Sequence, residues 1–226
     1  MQDISYTLIR SKRRTVALHV SNGSVEVRAP LRMSQKDIDD FVFSREKWIN
    51  KHLEPSKQRA RNRENFSLNY GDTVFFLNEP FVIIEKDGMF CPIGDEVIYI
   101  PSGMTPEQIK HICVEQYRLI ALGHLIPRTQ ELATQMSVMP NDIWVGNAKS
   151  RWGSCSADKR IRYSWRLIMA DEDIVDYVIV HELAHLIEMN HSKRFWAIVE
   201  RYLPDYKDRR KRLRELQVRL ANENWD

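Results

Sequence analysis

At 226 residues the chain is long enough for one sizeable domain or two small ones, and 43% hydrophobic content suits a folded protein and not a disordered one. A formal net charge of +3 permits contact with a polyanion without requiring it, and three widely spaced cysteines, Cys91, Cys113 and Cys155, make no disulfide framework. No run approaches the roughly 20 apolar residues that cross a bilayer, and the opening MQDISYTLIR lacks the basic stretch and apolar core of a secretion signal, so the expectation is a cytoplasmic protein with no membrane partner.

Residues 6 to 29 alternate apolar and polar, with Val16, Leu18 and Val20 before an Asn22-Gly23 pair and Val25 and Val27 after it, which predicts a small antiparallel sheet with a two-residue hairpin. Ser34 and Asp37 resemble a capping pattern, and Ile38, Phe41, Val42, Trp48, Ile49 and Leu53 recur at helical spacing, predicting a helix over 34 to 53. The polar stretch from Pro55 to Asn65, with Lys57, Arg59, Arg61 and Arg63, reads as a linker or exposed loop. From Thr73 to Pro101 the runs TVFFL, FVIIE and VIYI, punctuated by Asn78-Glu79-Pro80 and Asp87-Gly88, predict further strands. Thr105, Pro106 and Gln108 open a helix expected to reach Met136, kinked or broken near Pro127. Two more strands are expected at Ile143 to Asn147 and Arg160 to Arg166, either side of KSRWGSCSADK, and a helix at 173 to 189.

That last helix carries HELAHLIEMNH, residues 181 to 191. Four residues of a helix turn through about 400°, so His181 and His185 share nearly one face and both imidazoles can reach one ion. Glu182 lies beside that face, where a carboxylate can contact a metal-bound water without being a ligand. For a third ligand the chain must turn back, and Asn190 tolerates the left-handed conformation that ends many helices, while Ser192 can cap a new helix. His191 then stands at the corner. Three neutral imidazoles leave zinc its charge and an open fourth position, the arrangement of a catalytic site. Two carboxylates compete for that third place: Glu188, whose Cα lies roughly 7 to 8 Å along the axis from the midpoint of the two histidines, and Glu200 on the following helix.

Three blocks, KSRWGSCS at 149 to 156, IVDYVIVHELAHL at 174 to 186, and NHSKRFW at 190 to 196 with the following YLPDYKDRR, resemble the YgjP-like metallopeptidase family. The resemblance runs over residues 5 to 220. The last two blocks are also similar to the zinc core of Spartan-like proteases. The metzincin pattern has Gly where this chain has Glu188, which places the expected turn at Asn190. What the family resemblance implies is a zincin-type core in which His181, His185 and His191 match the metal ligands of one Zn2+ per chain and Glu182 the catalytic glutamate. Some members are credited instead with hydrolysing UTP to UMP.

By the same resemblance Arg151, Trp152, Gly153, Ser154 and Cys155 lie near the site, and Arg151 and Trp152 are candidates for substrate binding, Arg151 because a guanidinium can hold a carboxylate, a phosphate or a developing oxyanion. Lys207 to Arg219 holds seven Lys or Arg against two acids, with Leu213, Leu216 and Leu220 at helical spacing, and reads as an amphipathic helix with a solvated basic face. The fold expected is α+β: an N-terminal, mainly antiparallel β region with one helix over 1–103, and a zincin-like helical core with a small sheet and the HExxH helix over 104–226. The function expected is zinc-dependent hydrolysis of peptide bonds in peptides or unfolded proteins. The alternatives are a nucleoside triphosphate pyrophosphohydrolase and a zinc-stabilised nucleic-acid-binding module. If Arg160 to Arg166 is an edge strand, an extended peptide can add to it.

Overall fold

Asn22 and Gly23 both take positive φ, 48° and 72°, and join strands β2 (Ala17–Ser21) and β3 (Ser24–Pro30) in the hairpin that the pair favours. Strand β1 (Thr7–Ser11) lies on the other side of β3 and runs parallel to it, so this sheet, in the order β1-β3-β2, is mixed and not wholly antiparallel. The hairpin returns its second strand to the centre, where Val25, Val27 and Ala29 are buried. The structure, a computed structural model, describes residues 4–87, 93–94 and 96–225; Gly88 of the expected Asp87-Gly88 turn and Cys91 lie outside the described residues.

Helix α1 (Gln35–Ser44) begins where Ser34 accepts a hydrogen bond from the Asp37 N–H at 3.1 Å. It stops at Arg45, and helix α2 (Glu46–Glu64) follows at once. The stretch from Pro55, expected as a linker, is therefore helical. Local pairs along the helix favour this, Lys57 with Glu54 at 2.7 Å and Gln58 with Asn62 at 2.8 Å. One buried contact anchors it, since the Ser56 hydroxyl accepts from the Gly23 N–H at 3.0 Å. Ile38, Val42 and Ile49 from the helices close over Val25, Val27 and Ala29.

The described residues form two compact units, one ending at Phe66 and completed by Arg219–Asn224, the other Ser67–Val218 with Trp225. In the second unit β4 (Thr73–Phe76), β5 (Glu79–Glu85), β6 (Ile93–Gly94) and β7 (Val97–Ile100) make a sheet in the order β4-β5-β7-β6. This sheet belongs with the residues that follow it, whereas the sequence grouped everything up to residue 103 together. The reason is visible at Leu77, whose N–H donates to the Ile168 carbonyl at 2.7 Å, and at Phe75, whose N–H donates to the Tyr117 hydroxyl at 3.2 Å.

Helix α3 (Pro106–Gln135) opens with the expected capping box of Thr105 and Gln108 and continues through Pro127 without a break. Against it packs β8 (Asp142–Gly146), which forms a sheet with β9 (Gly153–Cys155) and β10 (Arg160–Ser164) in the order β8-β10-β9, while β9 packs against the motif helix that follows. Strand β10 is thus the middle strand, not an edge, with β8 parallel on one side and β9 antiparallel on the other. The WGSCS segment, readable as a turn, supplies one edge as β9, and β8 is the other.

A 3₁₀ turn (Trp165–Met169) leads into α4 (Glu172–Ala184), whose Ile174, Val175, Val178, Ile179 and Leu183 are buried. Helices α5 (Lys193–Tyr202) and α6 (Tyr206–Leu220) complete an α+β fold. No helix among the described residues is long and apolar enough to cross a membrane.

Arg128 of α3 grips Asp176 of α4 through two hydrogen bonds of 2.7 Å, both groups mostly shielded from water. Such a fork is among the stronger side-chain pairs, though partial exposure discounts it. Asp176→Ala is expected to lower the urea midpoint of the second unit by an amount equivalent to about 1 to 2 kcal/mol; an unchanged midpoint would show that the pair does not clamp the helices.

Candidate metal centre

Helix α4 ends at Ala184, one residue before the second histidine of the motif, so His181 lies in the last turn and His185 is the C-cap. The expected helix to 189 is cut short because the chain tightens: the Ile187 and Glu188 N–H groups both return to the Ala184 carbonyl, at 3.0 and 2.9 Å. The reversal is not made by a left-handed Asn190, since the positive-φ residues do not include it. Its side chain does the work instead, donating to Glu188 Oε1 at 2.7 Å and accepting from the Ser192 N–H at 3.0 Å. Ser192 then caps α5 through the Phe195 N–H at 3.3 Å.

This turn places His191 against the two histidines of the helix. One ligand atom from each of His181, His185 and His191 lies within 4.8 Å of the other two. The Nε2 atoms of His181 and His191 are 3.0 Å apart. Burial, and then the neighbouring imidazoles, push His181 down to about 3, and burial likewise lowers His185, so the neutral rings that a metal requires are the favoured form. Two neutral nitrogens whose lone pairs face each other at that distance repel unless a proton or a cation lies between them. A tetrahedral ion with bonds near 2.0 to 2.1 Å separates its nitrogen ligands by about 3.3 Å, close to what is found. His185 Nδ1 lies 3.2 Å from the Glu188 carbonyl, which as acceptor fixes the proton on Nδ1 and leaves Nε2 free to bind. The residues present therefore fit a metal ion. Of the competing carboxylates, Glu188 is bonded to Asn190 and lies 3.8 Å from Arg194, and Glu200 is exposed on α5.

Phe195, fully buried, floors the cluster, its ring centroid 4.5 to 4.9 Å from those of the three imidazoles. Trp196 stacks on His191 at 5.8 Å and on Tyr206 at 5.3 Å, with the Arg210 guanidinium 5.3 Å from its ring. Neither aromatic is among the site residues expected from the sequence, although the FW pair begins four residues after the third histidine.

Glu182 is 5% exposed, and burial pushes its carboxyl up to about 8 against the pull of the Arg151 charge. Its neighbour is Gly153 of β9. A Cβ there would lie 2.6 Å from Glu182 Oε1 and 2.9 Å from Cδ, so only glycine leaves room for the carboxylate. The resemblance places Gly153 near the site but gives it no role, because its part depends on a close approach between strand and helix that the local sequence does not show. Cys155 is on the same face of β9, paired with the buried Ile161, and its thiol is raised to about 11 by burial first and then by Glu182 and Asp158. Such a thiol is no nucleophile.

Around β9 the Ser164 N–H donates to the Trp152 carbonyl at 2.8 Å and the Ser156 N–H to the Arg160 carbonyl at 3.0 Å. By the alternation of an antiparallel pair, Ser154 also bonds toward β10, and Gly153 and Cys155 aim their backbone groups away from it. Arg151 stands near enough for Glu182 to feel its charge. Trp152 is half-buried and, among the described residues, its ring has no stacking partner in the histidine cluster. The basic stretch after residue 206 is in part neutralised: Arg209 pairs with Asp205, and Arg212 with Asp171, Asp173 and Asp208.

Residues 14–216 match a family described as YgjP-like, metallopeptidase domain. No curated protein matches the chain. Among solved structures it is similar to the metallopeptidase zymogen of Pyrococcus abyssi abylysin, with 21% identity over 39% of this chain and 90% of that one and a TM-score of 0.37. It is also similar to the metallopeptidase zymogen of Methanocaldococcus jannaschii jannalysin, with 19% identity over 40% and 94% and a TM-score of 0.37.

Gly153→Ala is expected to displace the Glu182 carboxylate while sparing the histidine cluster. A crystal structure of the variant, beside its divalent-metal content, checks this; a carboxylate still in its original place would refute it.

Proposed function

The chain belongs to the YgjP-like metallopeptidase family, and from that premise we propose that it is a zinc-dependent peptidase in which His181, His185 and His191 hold one Zn2+ per chain and Glu182 is the catalytic base. Metal-dependent peptide hydrolysis follows from the family; the metal's identity and the residue roles are this reading's own. The observation that carries it is the convergence of three imidazoles within 4.8 Å beside a carboxylate that is 5% exposed. When bound, zinc supplies a Lewis acid that polarises the scissile carbonyl and acidifies water.

Glu182 takes the proton of the attacking water and returns it to the leaving amine, a shuttle that needs a carboxylate beside the ligands and not among them. Gly153 holds that carboxylate in place by leaving it the space. Arg151 is the candidate to steady negative charge that builds on the substrate oxygen. An extended substrate segment would pair with the outward backbone groups of Gly153 and Cys155, taking the edge that β10 does not offer. A peptide needs no folded partner for this, which favours flexible or unfolded protein segments. Three widely spaced cysteines that make no disulfide framework in the sequence suit the reducing cytoplasm as its place of action.

Two measurements test the reading. Elemental mass spectrometry should find close to one zinc per chain, falling sharply in His191→Ala; zinc unchanged by that substitution would move the third ligand elsewhere. Glu182→Gln should keep the metal and lower turnover of an unfolded protein substrate by about 10² to 10⁴-fold. Full activity in that variant would sink the mechanism.

A further inference from the structure

Beside Glu182 the small sheet turns its outer face to solvent and forms a cavity of about 420 Å³, lined among others by Trp144, Arg151, Ser154, Asp158, Arg160 and Arg162. Register explains the grouping. Arg162 of β10 stands directly between Trp144 of β8 and Ser154 of β9, and residues opposite one another share a face. The face carrying Gly153 and Cys155 belongs to Glu182, the face carrying Ser154 belongs to Arg160 and Arg162, and Arg151, just before the strand, lines the cavity while its charge still reaches Glu182.

The charges on this face do not cancel. Asp158 is committed, accepting from Ser156 Oγ at 2.5 Å and from Arg160 Nε at 2.9 Å. Asp142 accepts from the Trp144 indole N–H and, at 2.9 Å, from the Ile143 N–H. Among the described residues Arg151 and Arg162 have no carboxylate within ion-pair distance. Arg162 is held in the groove by packing: its Cδ would meet a Cβ on Gly146 at 3.6 Å, and its guanidinium lies 5.4 Å from the Trp144 ring. Two spare guanidinium groups, one of them close enough to the catalytic carboxylate to influence it, give the cavity a positive field with donors for a planar anion.

We infer that this groove is a specificity subsite that selects a glutamate side chain of the substrate, close in sequence to the bond that is cut. The inference rests on the peptidase reading above. A segment paired with β9 would send the side chain opposite Ser154 onto the arginine face and its two neighbours onto the Glu182 face. Two strand spacings of about 4.8 Å separate such a segment from β10, and Arg162 rests on the β8 side against Gly146 and Trp144. Arg151, just before β9, is thus the nearer guanidinium, and only a side chain as long as glutamate approaches Arg162, where the shorter aspartate falls short.

The test is binding to the zinc-loaded Glu182→Gln chain, followed by fluorescence anisotropy with dye-labelled Gly/Ala peptides that carry one Glu, one Asp or one Gln at the centre. The Glu peptide is expected to bind roughly fivefold to tenfold tighter than the Gln peptide near physiological salt, with Asp between them. Adding Arg162→Gln or Arg151→Gln should bring the Glu to Gln ratio toward one. Equal affinities, whether both peptides bind or neither does, would overturn the inference, as would a single-stranded oligonucleotide whose binding depends on Arg162 while the Glu peptide's does not. The two readings fail separately: wild-type hydrolysis of unfolded protein without a Glu preference removes the subsite and leaves the peptidase. A Glu preference without hydrolysis removes the peptidase and leaves the groove.

Discussion

Taking a carboxylate out of water costs several kcal/mol unless something nearby repays it. Glu182 bears that cost at the point where α4 meets β9, and much of the second unit is arranged to keep it there. The helix is apolar on nearly every side, with Val175, Ile179 and Leu183 fully enclosed, so its rotation and depth are set by packing. The strand above it approaches so closely that Gly153 has no space for a methyl group. Beneath the same sheet Tyr163 is wholly buried, with its hydroxyl 3.3 Å from Thr129 of α3. Sheet, long helix and motif helix thus fix one another, and the buried carboxylate is placed by the fold and not by its own hydrogen bonds.

The histidine cluster is built on a different principle. His181 and His185 come from a helix end, whereas His191 comes from a turn of six residues that is stiffened by side-chain bonds from Asn190 and Ser192. Phe195 then fills the space below all three rings. An aromatic floor excludes water from one side of the cluster. The three imidazoles are brought together by local turn chemistry and one large side chain, with little demand on the rest of the molecule.

Much of this was legible in the sequence because it is local. The capping patterns at Ser34, Thr105 and Ser192, the Asn22-Gly23 hairpin and the four-residue spacing of His181 and His185 each state their structure within a few residues. What escaped depends on partners far along the chain. Residues 55 to 64 are polar enough to read as a linker, yet Ser56 is buried because Gly23 needs an acceptor. The sheet before residue 103 joins the second unit through Tyr117 and Ile168, which no pattern around Phe75 or Leu77 announces. Strand β9 is three residues long and gains its meaning only beside β10 and Glu182. Asn190 was rightly seen as the residue of the turn, but it acts through its amide group where a left-handed backbone was expected.

The alternation along β9 has a consequence for how such a protein can change over generations. Gly153 has almost no permitted replacement, since every side chain begins with the atom that collides with Glu182. Ser154, the next residue, points to the opposite side of the sheet and shares its face with Arg162 and Trp144. Mutations at those positions alter the surface met by a bound chain without entering the space of the carboxylate. One short strand therefore separates what selection must hold constant from what drift can explore, and descendants could acquire new preferences while inheriting the same chemistry.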